Sequence, residues 1–246
     1  MITALKSNWP NYLIEAWALG MFMLSATFFT GLLELPDWPV RHAVADPLVR
    51  RALSGCAMGL TLVFLVYSGW GRRSGAHMNP AVTLTFLYLK KISRPDAIWY
   101  IMAQFAGGTA AMLLLRMSVP AFTAAPEVNF VQTQPGMAGI TAAFLAELFI
   151  SLGLFLTILY SSNYEKTAPF TGIFAGILLM LYITFESPVS GTSMNPARSV
   201  ASAVAALNFR HQWIFFIAPL SGMLVAAKIW STWICSKAEF KCSLQG

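Results

Sequence analysis

Charged side chains are scarce in this sequence. They make up 11% of its 246 residues, against about a quarter in soluble domains, which excludes an ordinary water-soluble fold. Cysteine is scarcer still. Cys56, Cys235 and Cys242 are odd in number and badly placed for a disulfide framework; they suit small packing residues or a reduced cytoplasmic tail. The histidines, His42, His77 and His211, stand far apart, so no cluster with metal-ligand spacing exists and no cofactor is expected. Ser151 and Ser161 lack a Gly-x-Ser-x-Gly elbow or a Ser/His/Asp order, and phosphate- or dinucleotide-binding glycine loops are missing. An enzyme is therefore not expected. The net charge of +6 does not point to nucleic acid, because the basic residues are dispersed over short segments.

What is abundant is apolar sequence, 57% of the chain. It is gathered into six runs: Leu13 to Leu33, Leu53 to Tyr67, Ile98 to Met117, Met137 to Tyr160, Phe170 to Phe185 and Trp213 to Ile234. A helix crosses the hydrocarbon core with about 20 residues; the second and fifth runs reach that length once neutral flanking residues are counted. Six spanning helices are expected. The first run could pass for a signal peptide. It is too long for one, however, contains Glu15, and is followed by "LELPDWP" rather than a small-residue cleavage site, so it reads as a retained helix. Six spans put both termini on one side. The loops on that side hold Lys6, Arg72, Arg73, Lys90, Lys91, Arg94, Lys166, Lys237 and Lys241; the opposite loops hold Arg41, Arg50, Arg51, Arg116 and Arg210. Positive charge favours the cytoplasmic face, which predicts a multi-pass protein of the plasma (inner) membrane with cytoplasmic N- and C-termini.

Comparing the chain with itself exposes a repeat. "IEAWALGMFML" pairs with "LAELFISLGLFL", "SGCAMGLTLVF" with "TGIFAGILLML", "SGAHMNPAVTL" with "SGTSMNPARSV", and "YIMAQFAGGTAA" with "FFIAPLSGMLVA". The copies cover about 11–118 and 138–235 of a single domain, 1–246. Each contains an odd number of spans, so the second enters the membrane inverted, an arrangement whose sites lie near the midplane at the repeat interface. The apolar stretches after the two Asn-Pro-Ala motifs are only long enough to cross about half of a ~30 Å core. They read as half-helices behind Gly- and Ser-rich segments, tolerated at membrane depth only where protein or a wet path surrounds them.

Each motif has a chemical logic. Pro80 and Pro196 suit the first helical turn, where a missing N–H is no loss. Asn79 and Asn195 then take the N-cap, their side-chain oxygens accepting backbone N–H groups and their NH₂ groups left free to donate into a lumen. Ala81 and Ala197 are small enough for the two helix starts to meet. Two facing N-termini concentrate positive dipole ends, which favours a neutral acceptor such as water and repels cations and protons.

The paired boxes "SGAHMNPAVTL" and "SGTSMNPARS" are similar to those of the aquaporin (major intrinsic protein) family, and the resemblance runs from about Leu13 to Trp233. It implies an all-α membrane fold: a right-handed bundle of six transmembrane helices plus two re-entrant half-helices in an inverted 3+3 repeat. It also implies a homotetramer in the lipid bilayer with one pore per subunit, conducting water or small neutral solutes passively. The resemblance further assigns a selectivity filter to Arg198, Thr192, Ile183 and a helix-two residue. Alignment of the crossing glycines makes the last Met58; the usual spacing from Asn79 makes it Gly59.

Ile183 stands where strict water channels carry histidine, which leaves glycerol, urea, ammonia or metalloid acids open. Ser199, Ala203 and the Phe215–Phe216 pair point back toward water. Glu15 and Glu147 could serve a proton-coupled secondary transporter, since intramembrane acids suggest function, but the resemblance implies that they hold the re-entrant loops. His77 is expected to line the cytoplasmic mouth.

Overall fold

The computed structural model describes residues 1–234; Cys235, Lys237, Lys241 and Cys242 lie outside them. Among the described residues the regular structure is helical throughout: α1 (Ile2–Glu34), α2 (Pro47–Tyr67), α3 (Pro80–Tyr88), α4 (Arg94–Ser118), α5 (Gly139–Ser162), α6 (Thr171–Phe185), α7 (Pro196–Ala206) and α8 (Ile214–Ile229), with short helical turns between them. All but α3 and α7 are long and apolar enough to cross a membrane, counting the turns that extend α6 back to Ala168 and α8 on to Trp233. Their outer faces carry exposed Leu60, Phe64, Phe149 and Phe185, as lipid contact requires. The chain is an integral, multi-pass membrane protein.

Local chemistry sets the helix starts. Asp46 caps α2 by accepting the N–H groups of Leu48 and Val49, with Pro47 in the first turn. Ser93 caps α4 by accepting the Asp96 N–H and donating to its carboxylate. Helix α1 begins well before the apolar run at Leu13 and continues through Pro10. Pro10 removes one helical bond, and contacts to α4 hold this polar extension in place. Asp96 accepts from Asn8 Nδ2 at 2.9 Å and from the Tyr12 hydroxyl at 2.6 Å, while the Trp99 indole N–H donates to the Met1 carbonyl.

Three crossings bring the spans together, and each needs a residue without a side chain. A Cβ on Gly107 of α4 would lie 2.1 Å from the Ala16 carbonyl oxygen of α1, and one on Gly222 of α8 would lie 2.2 Å from that of Leu148 on α5. Between α2 and α6, Gly59 and Gly176 meet so that a Cβ on either would fall within 2.8 Å of the other's carbonyl oxygen. Backbone cannot yield to such contacts, and small residues are the usual means of close packing in lipid.

Half-helices α3 and α7 have 9 and 11 residues. At ~1.5 Å per residue they together cover roughly 30 Å, one hydrocarbon thickness. Reciprocal bonds at their N-termini join them: Asn79 Nδ2 donates to the Met194 carbonyl and Asn195 Nδ2 to the Met78 carbonyl, both at 2.7 Å.

Candidate functional site

The site is built on two irregular segments, Gly75 to Asn79 and Gly191 to Asn195, which lead into α3 and α7. Their backbones follow the same course. Gly75 and Gly191 have φ of 85° and 86°, Ala76 and Thr192 have 48° and 51°, and Met78 and Met194 have 50° and 51°. Left-handed backbone costs a non-glycine residue about 1–2 kcal/mol, so four such residues require strong partners.

Two fully buried carboxylates supply them. Glu15 of α1 accepts from Ser74 Oγ (2.8 Å), His77 N (3.0 Å), Met78 N (2.6 Å) and Gln104 Nε2 (2.8 Å). Glu147 of α5 accepts from Ser190 Oγ (2.6 Å), Ser193 N (2.7 Å) and Met194 N (2.7 Å). Each of these contacts brings a donor to a carboxylate oxygen. Hydrogen bonds to a charged acceptor are worth about 1.5–3 kcal/mol each, enough to offset the backbone strain.

The caps depend on this frame. Asn79 Oδ1 accepts from Ala81 N, and Asn195 Oδ1 from Ala197 N and Arg198 N. Pro80, Ala81, Pro196 and Ala197 are buried behind them. The expectation that both asparagine amides are wholly free needs correction. The loops meet so closely that one N–H of each is taken by the opposite loop's methionine carbonyl. One hydrogen per amide is left.

Two cavities open on either side of this junction. The larger one, on the α3 side, has a volume of about 620 Å³ and is lined by His77, Asn79 and Asn195 against apolar Leu19, Phe86 and Leu154. The opposite one, about 320 Å³, brings together Met58, Ile183, Thr192 and Arg198. Phe22, Leu179 and Ser193 border both and mark where the cavities adjoin. Gly59 lines neither; it is occupied by the α2–α6 crossing, whereas Met58 faces the smaller cavity. His77 Nδ1 lies 3.1 Å from Thr83 Oγ1, and its ring packs against Phe86 and Tyr100.

Arg198 forms no ion pair among the described residues. Its Nη1 donates to the Val131 carbonyl at 2.7 Å. That carbonyl is presented by three successive left-handed residues, Asn129, Phe130 and Val131, in a loop further tied down by Thr133 Oγ1 against Ser199 Oγ at 2.7 Å. Sequence reasoning missed this loop, because a backbone acceptor leaves no side-chain signature. It also missed Phe22 and Leu179, which hydropathy cannot separate from lipid-facing neighbours. A third omission is Glu186, directly after α6, whose carboxylate accepts from Thr192 Oγ1 at 2.6 Å; an acid at the end of an apolar span was the available signal.

The profile of the family described as "Major intrinsic protein" matches residues 7–230. The chain is 35% identical over 167 residues to "Putative aquaporin NIP4-1" of Arabidopsis thaliana, covering 68% of this chain and 57% of that protein. It is 34% identical over 179 residues to "Glycerol uptake facilitator protein-like 6" of Lactiplantibacillus plantarum, covering 70% and 81%. Among solved structures, the aquaglyceroporin from Plasmodium falciparum superposes with a TM-score of 0.77 at 17% identity over 92% of this chain and 97% of that one, a likeness of fold.

Proposed function

The chain belongs to the major intrinsic protein family, and from that premise we propose that it is a passive transmembrane channel. It conducts water and excludes protons and ions. The observation that carries this reading is the pair of adjoining cavities, with the N-termini of α3 and α7 between them and Arg198 in the smaller one. Two helix N-termini contribute roughly half a positive charge each, and Arg198 adds a full one. A cation meets repulsion at both places, while a water oxygen finds donors. Asn79, Pro80, Ala81, Asn195, Pro196 and Ala197 form the midplane element in this proposal, and Met58, Ile183, Thr192 and Arg198 the filter. We further place the channel in the plasma membrane with cytoplasmic termini, as one domain of two inverted repeats assembled into a homotetramer.

A second reading, a broader facilitator of neutral solutes, is favoured by the apolar pair Met58 and Ile183, which offers a methylene-bearing solute an apolar wall opposite Arg198 and Thr192. Coupled transport has less support. Glu15 and Glu147 are held by loop donors, and neither lines a cavity. Proteoliposomes mixed rapidly with an impermeant osmolyte should shrink faster than empty vesicles, with a low activation energy and no proton current. Shrinkage no faster than empty vesicles refutes the channel, and dependence on a proton or sodium gradient refutes passivity. A panel of glycerol, urea and boric acid gradients separates the narrow reading from the broad one.

A further inference from the structure

Glu186 sits in an unfavourable place. It immediately follows α6, at the negative end of the helix dipole, where a carboxylate is disfavoured. Oε2 accepts from Thr192 Oγ1 at 2.6 Å, while Oε1 is buried without a well-formed hydrogen bond, and Ser190 of the following turn lies beside the carboxyl group. Glu186 lines neither cavity, but Thr192 lines the smaller one. Glu186 therefore stands behind a proposed filter residue and bonds to its hydroxyl.

We propose that Glu186 is a positioning residue that sets, by its own protonation state, whether the Thr192 hydroxyl offers the permeant an acceptor or a donor. The inference rests on the channel reading above. With Glu186 ionised, the Thr192 hydrogen points back to the carboxylate and only oxygen lone pairs face the cavity. Arg198 is donor-only, so the ring then holds one donor and one acceptor, and a passing water or hydroxyl accepts from Arg198 while donating to Thr192. When Glu186 takes up a proton, its O–H can donate to Thr192 Oγ1. The other protein acceptor within reach, the Tyr182 carbonyl, lies 3.4 Å from Thr192 Oγ1, too far to hold the hydrogen well, so the hydrogen turns toward the cavity and the ring presents donors on both sides.

The surroundings place this change within reach of neutral pH. Burial pushes the Glu186 carboxyl up to about 7 against the pull of the Ser190 and Thr192 hydroxyls, and the nearby Glu147 carboxylate adds to the rise. The charged groups on the elements around it are Arg51 of α2, whose Nε donates to the Thr184 carbonyl, and Glu147 of α5, while Arg198 of α7 shares the smaller cavity with Thr192. None forms an ion pair with Glu186.

The test is osmotic water permeability of proteoliposomes holding the full chain, clamped to equal pH on both sides between about pH 5.5 and about pH 8.5, which brackets the titration. The wild type should lose permeability several-fold on acidification, the equivalent of one ordinary hydrogen bond, with a midpoint near 7. Glu186→Gln has no proton to exchange and should give a flat profile. Thr192→Val has no hydroxyl to turn and should also be flat, whatever its absolute rate. A pH-independent wild type, or a profile that survives in either variant, overturns the inference. Absence of conductance at every pH overturns the channel reading instead.

Discussion

The frame around Glu147 makes a quantitative prediction for Glu147→Gln. The carboxylate accepts three donors and meets no acceptor. Glutamine can keep its oxygen toward Ser190 Oγ and Ser193 N, but its NH₂ then faces the Met194 N–H that Oε2 now receives at 2.7 Å. A buried donor left without an acceptor costs about 1–3 kcal/mol. The two retained bonds lose their charge assistance, about 1 kcal/mol each. The sum is roughly 3–5 kcal/mol. At about 2–4 °C per kcal/mol for a chain of this size, the melting midpoint should fall by on the order of 10 °C. Glu15→Gln should lose a comparable amount, because its new amide faces the Met78 N–H that Oε2 now receives at 2.6 Å. Rotation of Gln104, whose Oε1 is buried without a partner, relieves only the contact between the two amides. Thermal unfolding of the purified variants in detergent, followed by loss of monodisperse protein, reads both values. A Glu147→Gln or Glu15→Gln protein that melts with the wild type would refute the reasoning.

Arg198→Ala should keep water flow while raising glycerol permeability several-fold and admitting some ions, because it removes the cation beside Met58, Ile183 and Thr192; unchanged selectivity in the solute panel would contradict a filter role. Met58→Ala should widen the smaller cavity and raise solute permeability with folding retained. Gly59→Ala should impair folding, since its Cβ would lie 2.5 Å from the Gly176 carbonyl oxygen and overpacking of this kind typically costs about 1–3 kcal/mol. Yield and melting midpoint of the two variants check the pair; a stable Gly59→Ala would mean that α2 and α6 do not cross there.

Much of the architecture was legible because membrane physics writes it into local sequence. Hydropathy located the six long helices, and helix-start chemistry located α3 and α7, since proline after a capping asparagine leaves few alternatives. Start points were less legible. The polar turns of α1 before Leu13 carry no hydropathy signal and are held by Tyr12, Asn8 and Asp96, partners 84 and 88 residues apart. At the candidate site the motif residues and Arg198 were readable from residue type, but their support was not. The Val131 carbonyl is invisible in sequence. Met58 and Gly59 could be separated only by knowing which of two adjacent residues the Gly176 crossing claims. The asparagine amides were read as free because a single-chain pattern cannot reveal that two loops meet head to head.

That meeting bears directly on how the proposed channel treats protons. Each asparagine amide has two hydrogens, one engaged by the opposite methionine carbonyl, and its oxygen is occupied by backbone N–H groups of its own helix. What remains for the lumen is one donor from each half and no acceptor. A water between Asn79 and Asn195 therefore turns its oxygen to the amides, and both of its hydrogens point away along the path. Such a water donates in both directions and accepts in neither, so it cannot link a chain in which every member must accept from one neighbour and donate to the next. The positive helix ends raise the barrier for the hydronium charge itself. The methionine carbonyls matter as much as the amides: by holding one hydrogen each, they keep the amides from rotating and fix which way the passing water must face.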